Sequence, residues 1–176
     1  MVMDPVMQHI IASGMAILFM SAGVQKFLHS GEFEGALRAY ELAPANMNRF
    51  LARSVPFLEA ATGTALLVVE TQPAAIFLAC CLLGSYALAM TINLWRGRHA
   101  IDCGCQLGGG GQSISWNLVL RNLALVLVTL SLLLPAINRS LNWLDYIVVT
   151  FGVVVSCLLY GICNSLINTH ARGASL

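Results

Sequence analysis

From Ala74 to Leu94 the chain runs for 21 residues without one charged side chain. About 20 apolar residues in a helix are what it takes to cross the hydrocarbon of a bilayer. Four further runs extend over about 6–28, 50–69, 118–137 and 144–167. The run at 50–69 is the least clean, because it carries Arg53 and Glu59, and the run at 118–137 carries Arg121 one turn in. Only 10% of the residues are charged, against about 25% in a soluble domain, so there is too little charge to cover a globule. The expected fold class is an all-α membrane protein: a single integral membrane domain over residues 1–176, a bundle of about five transmembrane helices. The lipid bilayer is then its solvent. The net charge of +1, with no basic stripe interleaved with aromatics, excludes nucleic acid as a partner. No Lys or Arg precedes the first apolar run and no small-residue cleavage pattern follows it, so that run is expected to stay as a span.

Between the first two spans, "SGEFEGALRAYELAP" reads as a short interfacial helix over about 31–43. Ser30 is its expected cap, Glu32 and Glu34 fall in the first turn, and Pro44 is its expected stop. Phe33, Leu37 and Tyr40 share one face, and Glu34 and Arg38 stand at i, i+4 in the favourable order. With five spans, this helix, the segment at 95–116 and the C-terminus share one membrane face. Trp95 and Trp116 sit at the ends of that segment, where interfacial anchors belong.

The same segment holds "AIDCGCQLGGGGQS". A disulfide between Cys103 and Cys105 closes a very small, strained ring, which Gly104 helps to accommodate. Strain makes such a bond oxidising and exchangeable. Arg96, Arg98 and His99 upstream favour a thiolate; Asp102 opposes it electrostatically but could accept the proton of an attacking thiol. The glycines downstream give slack for a partner protein to reach the sulfurs. A metal loop using His99, Asp102, Cys103 and Cys105 is the alternative, though the spacing is unlike zinc patterns, and no metal is expected. Cys163 on the last span could serve as a resolving thiol; for it and Cys157 the plainer expectation is a buried small hydrophobe. Charges inside spans are costly and are usually paired or functional. Glu59 could pair with Arg121 or Arg53 as a structural ion pair. Alternatively Arg121 or Lys26 could polarise a carbonyl such as a quinone oxygen while Glu59 handles protons.

"GVQKFLHSGEFEGALRAYELAP", "VPFLEAATG" and "NLWRGRHAIDCGCQLGGGGQSISWNLVLRN" together resemble the methylamine utilisation MauE family, within the DoxX-like group of small membrane proteins. The resemblance implies a four-helix DoxX-like core plus one helix, in the bacterial inner membrane. It implies assistance to maturation of the methylamine dehydrogenase small subunit, a periplasmic protein dense in disulfides, beside a thioredoxin-like partner, MauD. It also implies that Cys103 and Cys105 are the redox pair, with Asp102 in the motif. No cofactor is required by it. The basic residues Lys26, Arg38, Arg49, Arg53, Arg96, Arg98, Arg121 and Arg172 cluster on the cysteine face, with only Arg139 opposite. The positive-inside rule taken alone puts that face in the cytoplasm. Disulfide chemistry belongs in an oxidising compartment, and the periplasmic assignment follows from it. Alternatives are a quinone-linked disulfide oxidase of the DsbB or vitamin K epoxide reductase type, and a non-redox transporter or assembly scaffold.

Overall fold

A computed structural model describes residues 2–98, 114–137 and 139–173. Among these the chain is all-helical: α1 (Pro5–Leu28), α2 (Ser30–Tyr40), α3 (Ala45–Ala65), α4 (Gln72–Trp95), α5 (Trp116–Ser131) and α6 (Trp143–Gly173). Three of them, α1, α4 and α6 over Trp143–Ile167, are long and apolar enough to cross a membrane, while α5 is a shorter apolar helix. Large apolar side chains face outward all round, Phe77, Leu127 and Phe151 among them. A water-soluble surface does not carry so much contiguous hydrocarbon; lipid accounts for it.

Local chemistry sets the helix ends. Asp4 caps α1 by accepting the Val6 amide at 2.8 Å, with Pro5 at the first helical position. Two expectations about the next helix need correcting. Ser30 is the first residue of α2 rather than its cap; His29 precedes it and supplies no side-chain cap. Pro44 does not stop α2, which ends when Glu41 turns left-handed at φ 49°; Pro44 instead stands before α3, where its missing N–H costs nothing. The Glu34–Arg38 pair forms at 2.6 Å. Residues 66–71 leave α3 in a series of turns. Likewise α5 stops at Ser131, well short of 137: turns follow, and Ala136 then pairs with Met3, whose amide bonds the Pro135 carbonyl at 2.9 Å.

Helix α1 is the centre of the bundle, with α3, α5 and α6 against it and α4 packed on α3 and α5. Two glycines draw α1 and α3 together. A Cβ on Gly23 would lie 2.8 Å from the Pro56 carbonyl, and one on Gly63 would lie 2.9 Å from the Ala16 carbonyl. As α1 advances from 16 to 23 its neighbour falls from 63 to 56, so the pair is antiparallel. Backbones this close are how membrane helices gain packing without a hydrophobic drive. The core has two parts. Ala12, Met15, Phe19, Leu66, Ile76, Leu83 and Leu132 fill one end; Tyr40, Met90, Leu94, Ile114 and Leu118 fill the other. At the first end Arg139 bridges Asp4 and Asp145, tying α1 to α6.

Candidate functional site

The close approach at Gly23 carries Lys26, one turn further along α1, against Glu59 of α3. They form a buried ion pair, Lys26 being 5% and Glu59 1% exposed. From α4 the Tyr86 hydroxyl donates to Glu59 Oε1 at 2.6 Å, and Lys26 Nζ donates to that hydroxyl at 3.3 Å. The ammonium also lies 4.7 Å from the Tyr86 ring centre and 5.3 Å from that of Phe33 on α2, close enough for cation–π attraction. Four helices thus converge on one charge. Glu59 Oε2 is buried with no hydrogen-bond partner among the described residues. A carboxylate whose second oxygen is free can accept a proton or a hydrogen bond.

Glu59 therefore takes neither of the partners expected for it. Arg53 is exposed, and Arg121 donates to Asn164 on α6 at 2.6 Å with its guanidinium 5.9 Å from the Tyr160 ring. Lys26 and Glu59 are brought together; Arg121 is held apart from them. Cys163 is exposed and Cys157 half-buried, both as free thiols, so Cys163 is not the buried hydrophobe expected of it. Asp102, Cys103 and Cys105 lie outside the described residues. Tyr86 was missed because a tyrosine in the small-residue run "GSYA" reads as helix packing. A buried phenol needs a hydrogen-bond partner, and that was the available signal.

Beside the cluster lies a cavity of about 240 Å³ between α2, α3 and α4, lined by Phe33, Tyr40, Asn48, Val55, Tyr86 and Met90 among others. Both flanks of residues 99–113 are fixed near it. Arg98 donates to Glu41 at 2.7 Å, next to the lining residues Tyr40 and Leu42. Ile114, 2% exposed, packs in one cluster with Tyr40 and Met90. The Arg98 guanidinium, by its hydrogen bond first and its charge second, holds the Glu41 carboxyl below its ordinary value, and Glu41 holds Arg98 above its own.

The fold and this site define a class: a helical membrane protein with a buried Lys–Glu pair, met by a half-buried tyrosine, at the end of the bundle from which a cysteine-bearing segment departs. Residues 5–135 match the model of the family described as methylamine utilisation protein MauE, and the chain belongs to that family. It is 40% identical over 118 residues to methylamine utilization protein MauE of Paracoccus denitrificans, covering 67% of this chain and 63% of that one, under two thirds of its length. It is 36% identical over 135 residues to the Paracoccus versutus protein of the same name, covering 76% and 73%. For the Methylorubrum extorquens protein the identity is 37% over 134 residues, covering 75% and 72%. No solved structure matches.

Proposed function

We propose that the chain is a thiol–disulfide maturation factor of the methylamine utilisation system, resident in the bacterial inner membrane. Its client is the methylamine dehydrogenase small subunit and its soluble partner a thioredoxin-like protein of the MauD kind. Five helices, α1, α3, α4, α5 and α6, span the bilayer as a four-helix DoxX-like core plus one, and α2 lies at the interface. The cysteine segment faces the periplasm. Cys103 and Cys105 carry the exchange: their disulfide passes to a partner dithiol, one S–S bond breaking as another forms, with Asp102 as the nearby proton acceptor. The observation that carries this is the anchorage of both flanks of the segment, Arg98 on Glu41 and Ile114 in the core, at one end of the bundle. Fixed flanks hold the two ends of the cysteine segment where a docking protein can approach it.

Cys103→Ser and Cys105→Ser should each abolish maturation of the small subunit while leaving the protein in the membrane. Normal maturation in both variants refutes the proposal. Labelling of Cys103 or Cys105 in intact cells by a membrane-impermeant thiol reagent is expected from the periplasmic orientation; failure of reduced thiols to label sinks it.

A further inference from the structure

We propose that the cavity between α2, α3 and α4 binds a quinone, a single ring with two oxygens and an apolar tail. The ligand's role rests on the thiol–disulfide function above; its binding does not. A dry cavity of about 150 Å³ accepts benzene, so about 240 Å³ admits a ring with substituents. Phe33, Tyr40 and Tyr86 supply aromatic walls for a flat ring. The polar handle is Asn48, only 3% exposed, whose amide makes one hydrogen bond among the described residues, Nδ2 to the Ala43 carbonyl at 3.2 Å. Its second N–H can donate to a quinone carbonyl, and its oxygen can accept from a hydroquinone hydroxyl, so one side chain serves both oxidation states. An acyl chain offers that amide neither a donor nor an acceptor, so it gains nothing from the one polar side chain that the quinone oxygens can use. Across the cavity, Tyr86 connects the lining to Lys26 and to Glu59 with its unpartnered Oε2.

The ring therefore belongs beside Tyr86 and Asn48. Arg121, engaged by Asn164, does not line the cavity. Cys103 follows Arg98 by five residues in the sequence, and Arg98 is held by Glu41 next to the lining residues Tyr40 and Leu42. Once its disulfide has been handed on, the pair Cys103–Cys105 is a dithiol. Re-forming the S–S bond releases two electrons and two protons, and the quinone takes up both to become a hydroquinone.

The test is titration of ubiquinone-1 into the full-length protein in lipid nanodiscs, with binding read calorimetrically against empty discs. Saturable one-to-one binding is expected. Ala89→Phe, which fills the cavity, should weaken it at least tenfold, and Asn48→Leu should weaken it about tenfold, the worth of one hydrogen bond. Far-UV circular dichroism confirms that each variant is helical, and competition of ubiquinone-1 against the unaltered protein gives the answer where a variant does not fold. Linear partitioning alone, saturable binding indifferent to both substitutions, or equal competition by decanol each overturn the proposal. The Cys103→Ser/Cys105→Ser protein should bind ubiquinone-1 unchanged. Quinone binding without thiol-dependent maturation removes only the function above, and thiol-dependent maturation without quinone binding removes only this inference.

Discussion

Charge pairing between Lys26 and Glu59 can be measured as a coupling. Both side chains are almost wholly buried, and among the described residues the Tyr86 hydroxyl is their only further polar contact. Lys26→Met leaves a carboxylate in low dielectric with one hydroxyl donor; Glu59→Gln leaves an ammonium between two rings. Removing one partner of a buried pair costs about 3–5 kcal/mol, because the survivor stays uncompensated. At roughly 2–4 °C per kcal/mol for a chain of this size, each single variant should melt roughly 6–20 °C below the parent. Replacing both charges together leaves a neutral amide that still accepts the Tyr86 hydroxyl, and such double replacements are often close to neutral. The double variant should therefore lose no more than about 2 kcal/mol, an interaction energy of several kcal/mol in the cycle. The assay is unfolding in a fixed detergent, followed by circular dichroism with a common endpoint for all four proteins. Additivity within about 0.5 kcal/mol would refute the coupled pair, as would single variants that melt with the parent.

Further outcomes follow from the packing and the polar ends. Gly23→Ala and Gly63→Ala should each destabilise by about 1–3 kcal/mol through overpacking against backbone carbonyls, whereas Gly84→Ala, with nothing within 4 Å of its Cβ, should be neutral or better in the same melts. The Arg139 guanidinium, and then the Val6 amide, hold the Asp4 carboxyl below its ordinary value of 3.8. A depressed carboxylate stabilises fully above that ordinary value, and its contribution is lost as pH falls through the folded one. Arg139→Gln should accordingly flatten the fall of melting temperature below about pH 4, and added salt should mimic it. Tyr86→Phe should cost about 1.5–3 kcal/mol, the range for a hydrogen bond to a charged group, in the detergent unfolding series.

The helical membrane class was readable from the length of the uncharged runs, because backbone satisfaction in lipid leaves few other solutions. The pairing of Glu59 was not. Arg121 and Arg53 were the expected partners and Lys26 was not among them, because the choice depended on which helix came closest to α3. That was decided by Gly23 and Gly63: the small-residue runs "SAG" and "ATGTA" read as close helix packing, but which two helices they join appears only when a neighbouring carbonyl is set beside each. Tyr86 stayed hidden for a related reason: its neighbours are small and apolar, so nothing local distinguished a phenol in the core from one serving a carboxylate. Helix ends were readable only where a side chain fixes them. Asp4–Pro5 does so for α1, a signal the expected start at about 6 did not use, while α2 ends on the backbone conformation of Glu41, which no residue preference announces.

Helix α3 is not among the helices apolar enough to cross a membrane by themselves. On the five-span arrangement it must nevertheless enter the bilayer with Glu59 well inside it. Lys26 lies two residues from the end of α1, where a lysine leaving the translocation machinery can reach the headgroups with its ammonium. When α3 follows, the carboxylate it brings is matched by a charge already at hand, and the glycine contacts let the two helices move into lipid as a hairpin. On that arrangement a defect at Lys26 or Gly23 is expected to impair the entry of α3 into lipid as well as the stability of the finished bundle.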